Sequence, residues 1–330
     1  MCLGRGDKGK GKAAPPPGPS HQWHQQGGDV KDGQAWKPPA GPPPGGHHQQ
    51  VDYAAPRPPP AGPAPAYDWA GPPRDPPPPI AHDRSHTTNA TEAEAEAGEN
   101  WCRQYPLTTP LVLDEAGRSA LRSRNIRLIE PFGFNGRLNW LAKGHWEVKT
   151  NNGSSDSCII GYPPLYVVCE REAATPTTVY YEVKLRADSR HNSVALGFTA
   201  LPYPSFRMPG WHRGSLAVHG DDGHRFVNDR WGGNDFTTEF RRGDTYGIGM
   251  TLTPTTYGKR DVDVFLTHNG VRVGGWDLHE ETDAEGDLPV AGLEGFHDLS
   301  CAIGTFDGVS VEVILDPEKW MYRQVANGKN

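Results

Sequence analysis

Cysteine is scarce in this sequence, and no two cysteines have the spacing of a metal site. The chain has five cysteines, an odd number, at positions 2, 102, 158, 169 and 301, and no CxxC pair occurs. Disulfide frameworks need paired cysteines, and structural zinc sites need closely spaced ligands. The pattern therefore favours reduced thiols in the cytoplasm, and it predicts neither a disulfide framework nor a metal site.

Long hydrophobic runs and strongly basic segments are also missing. No stretch of 18 or more apolar residues occurs, so we expect no transmembrane segment. The formal net charge is −7 and no segment is basic enough to neutralise a phosphate backbone, which argues against nucleic-acid binding. Cys2 lies close to Arg5 and three lysines, so acylation of Cys2 would give peripheral membrane association. An unmodified terminus is the alternative.

The motifs of common catalytic sites do not occur. There is no GxSxG, no HExxH and no phosphate-binding glycine loop. Asp261 and Asp263 alternate as glycosidase carboxylates do, but no third carboxylate follows at the expected spacing. Asp221, Asp222 and His224 cluster where turn and capping hydrogen bonds explain them. We therefore predict a protein that is not an enzyme and needs no cofactor.

Proline and glycine are abundant, and most of the proline lies near the beginning of the chain. About 21 of the 33 prolines precede residue 101, in runs such as PPPGP and KPPAGPPPGG. Such a sequence buries too little apolar surface to offset chain entropy, so residues 1–100 are predicted to be disordered, with polyproline II character. The runs could dock on WW or SH3 domains, or serve as a solvated spacer. The acidic stretch Thr91–Asn100 is interpreted as a linker, with a transient helix as the alternative.

The composition becomes globular at Trp101, and short strands dominate from His145 onward. Frequent turn signals between these strands indicate an antiparallel β-sandwich over residues 101–322, followed by a flexible tail at 323–330. Asp114–Arg124 has acids first and arginines last, which predicts a short helix. The predicted strands are His145–Lys149, Ser157–Ile160, Leu165–Cys169, Val179–Leu185, Ser193–Phe198, Ser215–His219, Arg225–Asn228, Thr245–Leu252, Val262–Thr267, Val271–Asp277, Pro289–Leu293, Cys301–Phe306 and Val309–Leu315.

Several stretches, in order, resemble the SPRY (B30.2-like) family. They are YYEVKL, VALGFT, the loop LPYPSFRMPGWHRGS, the hairpin VHGDDGHRFVN, FRRGDTYGIG, VDVFLTHNGVRVGG and LPVAGLEG. PYPSFR-PGW is most similar to the SPRY domains of fungal endosomal and vacuolar adaptors that carry PPxY motifs for a HECT ubiquitin ligase. HGDDG is more similar to the RanBPM type. The resemblance covers roughly residues 107–322 and implies an all-β, concanavalin-like sandwich.

The resemblance also implies how the protein functions. SPRY domains capture short peptides of partner proteins with loops at one rim, without catalysis. The matching positions are Tyr203, Phe206, Arg207 and Trp211 in the long loop, and Thr305, Phe306 and Asp307 on the late turn. We expect Tyr203 and Arg207 to be exposed, while packing beneath the loop is the alternative for Trp211 and Phe206. An adaptor role in ubiquitin-dependent sorting, in the cytoplasm at endosome or vacuole, is implied by the resemblance alone.

One further motif and two other functions stay open. Pro163, Pro164, Leu165 and Tyr166 form a literal PPxY, the motif that WW domains bind, but it runs into an apolar segment, so burial is the competing interpretation. The chain could instead be a Pro-rich scaffold with the sandwich as a structural cap. The third candidate is a sandwich that binds or cleaves glycans.

Overall fold

A computed structural model of the chain describes residues 91–171, 174–256, 258–280 and 288–326. The Pro-rich segments that precede residue 91 and the acylation candidate Cys2 lie outside these ranges, as do residues 327–330. The predictions of a disordered tail, of WW or SH3 docking and of acylation therefore stay predictions.

The described ranges contain three α-helices: α1 (Glu92–Gln104), α2 (Glu115–Arg122) and α3 (Arg323–Ala326). The helix predicted at Asp114–Arg124 is confirmed as α2, and the Asp114 side chain caps it by accepting from the Gly117 N–H at 2.7 Å. The linker interpretation of Thr91–Asn100 is wrong, and the helix that was its alternative is present, because most of this stretch belongs to α1. The short α3 forms where the sequence predicts a flexible tail.

A capping box explains why α1 begins where it does. The Thr91 hydroxyl accepts a hydrogen bond from the Glu94 N–H, and the Glu94 carboxylate accepts one from the Thr91 N–H at 2.8 Å. Two of the backbone donors that a helix start leaves unpaired are therefore satisfied reciprocally. The alanines and glutamates that follow are good helix formers.

The strands form two antiparallel sheets that pack face to face, which confirms the predicted all-β sandwich. In chain order the strands are β1 (Arg127–Ile129), β2 (Gly136–Ala142), β3 (His145–Thr150), β4 (Ser157–Tyr162), β5 (Thr177–Leu185), β6 (Val194–Ala200), β7 (Ser215–His219), β8 (Arg225–Val227), β9 (Thr245–Pro254), β10 (Arg260–His268), β11 (Val271–Asp277), β12 (Leu299–Thr305) and β13 (Ser310–Ile314). Their order is β1-β4-β12-β6-β7-β8 in the six-stranded sheet and β11-β10-β9-β5-β13-β3-β2 in the seven-stranded sheet.

The differences between predicted and observed strands are local. The sequence does not predict β1 and β2, which lie at an edge of their respective sheets. Leu165–Cys169 is not a strand: Tyr166 makes an isolated bridge to Leu299, and a single 3-10 turn follows at Val168–Glu170. Pro289–Leu293 contains no strand either.

Alternating side chains of both sheets fill the space between them. In β6, Val194, Leu196, Phe198 and Ala200 belong to the main hydrophobic core, together with alternate residues of β5, β9, β10, β12 and β13. This is the period-two pattern of strands with one face in a core. The opposite face of the seven-stranded sheet is covered near the end of the chain, where Trp320 and Tyr322 pack on Tyr180 and Phe265.

One buried tyrosine joins the two sheets by polar contacts. Tyr181 of β5 reaches the six-stranded sheet, where its hydroxyl accepts from the Gly197 N–H at 2.8 Å and lies 2.8 Å from the Ala302 carbonyl oxygen. Gly197 and Ala302 are register partners of β6 and β12. The hydroxyl therefore satisfies ladder groups of the opposite sheet.

We predict that Tyr181→Phe lowers the free energy of unfolding by about 1–3 kcal/mol, because it leaves a buried N–H and carbonyl without their partner. Denaturant unfolding measures the change. The control is Tyr162→Phe, which removes the hydroxyl of a tyrosine that is 46% exposed. Equal midpoints for the two variants would show that the Tyr181 hydroxyl does not stabilise the sandwich.

Candidate functional site

The long loop between β6 and β7 lies on the outer face of the six-stranded sheet. We call residues 202–214 the covering loop. Its Met208 and Trp211 form a buried cluster with Ala195, Ala217 and Phe226. Its Tyr203 packs in a second cluster with Cys158 and Ala302. The loop is therefore a second layer on the sheet, and it does not project freely from the rim.

Small residues on the outer face make room for this layer. Ala195, Ala217 and Ala302 each point away from the main core, towards the covering loop. Gly304 has no side chain, and a Cβ there would lie 2.6 Å from Pro209 Cδ and 2.8 Å from Met208 Sδ. The loop backbone can therefore approach the strands closely, as it could not above large side chains.

Hydrogen bonds hold the covering loop in one conformation. The Tyr203 hydroxyl donates to the Met208 carbonyl oxygen at 2.6 Å, which closes the first half of the loop. The Gly210 N–H donates to Ser215 Oγ at 2.8 Å. The Cys158 N–H donates to the Ser205 carbonyl oxygen at 2.9 Å and ties the loop to β4. The loop is preorganised, because these bonds form on folding.

Arg207 is at the centre of a buried polar cluster. Its side chain is 1% exposed, with Nη1 3.2 Å from Asp156 Oδ2. Its Nε donates to His212 Nε2 at 3.2 Å, and its guanidinium carbon lies 4.4 Å from the Trp211 ring centroid. The expectation that Arg207 and Tyr203 are exposed is therefore wrong, because the loop folds these polar side chains onto the sheet.

Burial shifts the titration of both partners of Arg207. Loss of hydration raises the pKa of Asp156 to about 6, although the Arg207 charge acts in the opposite direction. Burial, reinforced by the charge of Arg207, lowers the pKa of His212 to about 3. A neutral His212 also agrees with its Nε2 acting as an acceptor, since a protonated nitrogen could not accept from Arg207.

Phe206 is the large apolar side chain that the covering loop leaves in solvent. It is 41% exposed, whereas Tyr203 and Trp211 are 7% and 8% exposed. Packing beneath the loop, the alternative for both aromatics, therefore holds for Trp211 and not for Phe206. The loop presents one aromatic side chain above a fixed base.

The late turn reaches the same end of the sheet as Phe206. Ser205 is bonded to Cys158, whose register partner is Gly304, and Ser157 Oγ lies 2.7 Å from Thr305 Oγ1. Phe306 and Asp307, which follow directly, are half-buried, whereas Thr305 is fully buried. We define the rim surface as Phe206, Phe306 and Asp307. Of the seven positions taken from the resemblance, Tyr203, Arg207, Trp211 and Thr305 support this surface from within.

Asp307 is held in place by its own contacts. Its carboxylate accepts from the Gly153 N–H at 2.6 Å and lies 3.2 Å from His191 Nε2. The Gly153 hydrogen bond lowers the pKa of this carboxyl, because it stabilises the ionised form. The rim surface therefore combines two aromatic rings with a fixed negative charge.

The PPxY motif is not accessible in the folded chain. Pro163, Pro164 and Leu165 are buried, and Tyr166 is 0% exposed with its hydroxyl bonded to the Gly295 carbonyl oxygen at 3.0 Å. A WW domain needs an extended, exposed segment. The WW-binding interpretation of this motif therefore fails for the native state, and burial is the correct alternative.

The carboxylates considered for catalysis do not form a catalytic pair. Asp263 is half-buried and lies 3.1 Å from Arg272 in a surface ion pair, and Asp261 is exposed. Asp222 accepts from the His224 N–H, which is turn chemistry. In the described ranges, no three His, Cys, Asp or Glu residues come together as ligands for a metal ion. Within those ranges, too, every helix is too short or too polar to span a membrane.

Two parts of the site, the helix α1 and the polar partners of Arg207, are not predicted from the sequence. Only α1 has a motif that could have identified it. Thr91 and Glu94 have the spacing of a capping box, which could have identified α1. Asp156 and His212 carry no such signal, because nothing in their local sequence shows that Arg207 lies between them.

Comparisons with known proteins agree with the sequence resemblance. Protein ssh4 of Sclerotinia sclerotiorum is 28% identical over 143 residues, which are 43% of this chain and 25% of that protein. Human SPRY domain-containing protein 3 is 26% identical over 205 residues, which are 60% of this chain and 43% of that protein. The chain thus matches less than half the length of each relative. The resemblance to the SPRY family is confirmed.

No family model matches the chain. A crystal structure of a human SPRY domain has 21% identity and a TM-score of 0.38, and covers 55% of this chain and 97% of that one. An alginate lyase structure has 11% identity and a TM-score of 0.34, and covers 64% and 92%. TM-scores this low carry no argument about function.

The buried His212 generates a prediction about stability and pH. Its pKa of about 3 in the folded state is below the unfolded value of 6.5, so the unfolded state binds the proton more tightly. Its stabilising contribution is therefore complete above pH 6.5 and is lost as the pH falls towards 3. From pH 7 to 5 the expected loss is about 2 kcal/mol.

We predict that His212→Gln removes this loss, so that the variant loses about 2 kcal/mol less than the wild type between pH 7 and 5. Urea unfolding at both pH values measures the difference. The raised pKa of Asp156 changes the pH dependence of stability in the opposite direction. Asp156 is present in both proteins, so its contribution cancels in the comparison. The control is His279→Gln, which changes an exposed histidine. Parallel pH profiles for wild type and His212→Gln would contradict the assignment.

Proposed function

We propose that this SPRY-domain protein is a non-enzymatic interaction module that binds a short peptide segment of a partner protein at the rim surface. The observation that carries the proposal is the contrast within the covering loop, where Phe206 is 41% exposed while Tyr203, Arg207 and Trp211 are buried. An exposed aromatic on a fixed base is the kind of residue that supplies most of the binding energy in small interfaces.

Preorganisation supports the same function. The covering loop is fixed by the hydrogen bond from Tyr203 to Met208 and by the ion pair of Arg207 with Asp156. Binding a peptide to such a loop does not require the loop to be ordered first, and that ordering would otherwise weaken the affinity. The buried polar residues thus contribute to recognition by holding Phe206, and need not touch the peptide.

The finer proposal is that the captured partner is delivered to ubiquitin ligation, at the endosome or vacuole. It is supported by the PYPSFR-PGW resemblance to fungal adaptors. Because the PPxY motif at 163–166 is buried, a ligase with WW domains would have to contact the chain elsewhere. The Pro-rich runs before residue 91 are the candidate segments for WW or SH3 proteins.

We predict that Phe206→Ser lowers labelling of the partner about tenfold or more when the full chain is fused to a proximity-labelling enzyme in cells, because truncating an anchor aromatic removes most of the local binding energy. The matched control is Phe296→Ser. Phe296 is 52% exposed and precedes β12, so it lies at the opposite end of that strand from Phe306.

Three outcomes would contradict the proposal. Labelling profiles that are the same for wild type and Phe206→Ser, with unchanged thermal unfolding, would remove the rim surface from consideration. Loss of all partners on deletion of residues 1–90, with no effect of Phe206→Ser, would favour the Pro-rich scaffold with the sandwich as a cap. Glycan binding without peptide capture would favour the third candidate.

A further inference from the structure

The helix α1 covers one side of the covering loop. Its buried residues Ala95, Gly98 and Cys102 lie on one face of the helix, at spacings of three and four. Gly98 is in direct contact with the His212 imidazole, and a Cβ at Gly98 would overlap that ring. The close approach of helix and loop therefore requires glycine at this position.

The surface beneath α1 carries three arginines, of which Arg207 is paired with Asp156, and the helix is acidic. We define the helix-covered groove as Arg207, His212, Arg213 and Arg230. The helix carries Glu92, Glu94, Glu96 and Glu99, and a single basic residue, Arg103, in its last turn. Helix and groove are therefore complementary in charge.

Specific contacts orient α1 on the groove. Arg230 Nη1 forms an ion pair with Glu99 Oε1 at 2.9 Å. Arg213 donates to the carbonyl oxygens of Cys102 and Tyr105 at the end of the helix. A cation at this end also interacts favourably with the helix dipole.

The helix α1 is nevertheless held only weakly on the groove. The side chains that it buries are small, so little apolar area leaves water when it docks. The Glu99 side chain is 39% exposed, and ion pairs that are open to solvent add little stability. Arg207 and His212 lie beneath the helix and are 1% and 3% exposed. When the helix undocks, water reaches these polar side chains, and their hydration offsets part of the free energy that is lost with the contacts.

We propose that the helix-covered groove is a docking site for an acidic helical segment of a partner protein, and that α1 occupies it in cis. The inference rests on the proposed function, because it names the class of partner segment that the helix-covered groove would bind. A competing segment would carry several carboxylates and a glycine at the position that meets His212. A larger side chain at that position would be excluded by the ring.

The test uses the purified full chain with Gly98→Leu, which undocks α1 and leaves the groove unchanged. The probe is a fluorescein-labelled peptide of residues 91–105 with Cys102→Ser. We expect the Gly98→Leu chain to bind it at least tenfold more tightly than the wild type, whose tethered α1 competes at an effective concentration of about 1 mM. Fluorescence anisotropy measures both affinities.

One control separates docking from general charge attraction, and a second tests the contacts of Arg213 with the end of the helix. The same peptide with Gly98→Leu keeps its charge and should not bind either chain. Adding Arg213→Glu to the Gly98→Leu chain should reduce binding at least tenfold, because it removes the contacts to the helix end. If Gly98→Leu fails to fold, Glu99→Arg undocks α1 instead by repelling Arg230, and the same binding measurements apply.

Equal affinity of the wild-type and undocked chains for the peptide, or equal binding of the two peptides, would overturn the inference. The outcome is distinguishable from failure of the proposed function. If partner labelling depends on Phe206 but the peptide does not bind, docking at the groove is refuted and binding at the rim surface is not. If the peptide binds but partner labelling does not depend on Phe206, binding at the rim surface is refuted and docking at the groove is not.

Discussion

The packing of the covering loop on the outer face of the six-stranded sheet is the interaction on which the rest of the site depends. It is possible because the strands offer alanine and glycine at the contact, as Ala302 and Gly304 do in β12. Once the loop lies flat, Tyr203 and Trp211 are buried, and Arg207 must find polar partners among residues that are buried with it. Phe206 remains in solvent because the loop backbone on both sides of it is fixed.

This arrangement divides the loop residues between support and contact. A buried guanidinium with a carboxylate and an imidazole is a poor source of stability, because desolvation opposes the attraction between the charges. Here it holds a Pro-rich loop in place, and so preserves the position of the exposed aromatic side chain. The basic side of the same loop attracts α1, whose glutamates approach Arg207 and Arg230. The rim surface and the groove thus both depend on the position of the covering loop.

Much of the sandwich could be predicted from the sequence, because the strands of a half-buried sheet alternate with a period of two. β7 and β11 match their predicted bounds. The edge strand β2 was missed because it is nowhere fully buried and so lacks a clear apolar face. Side-chain exposure in the site could not be predicted, since it depends on contacts distant in sequence: Arg207 is buried against Asp156, which lies 51 residues earlier. The sequence favours a linker over the helix α1, because the buried face of α1 consists of small residues that give no hydrophobic pattern.

The covering loop is as rigid as the strands beneath it, while α1 is held only weakly. Native-state hydrogen exchange, followed by mass spectrometry on peptides from residues 91–105 and 202–214, tests it most directly. We expect the loop amides of Arg207 and Gly210, which donate to Pro204 and Ser215, to exchange as slowly as those of β6 and β7. The amides of α1 should exchange at least tenfold faster. A loop that exchanges as fast as an exposed turn, or an α1 as protected as the strands, would contradict it.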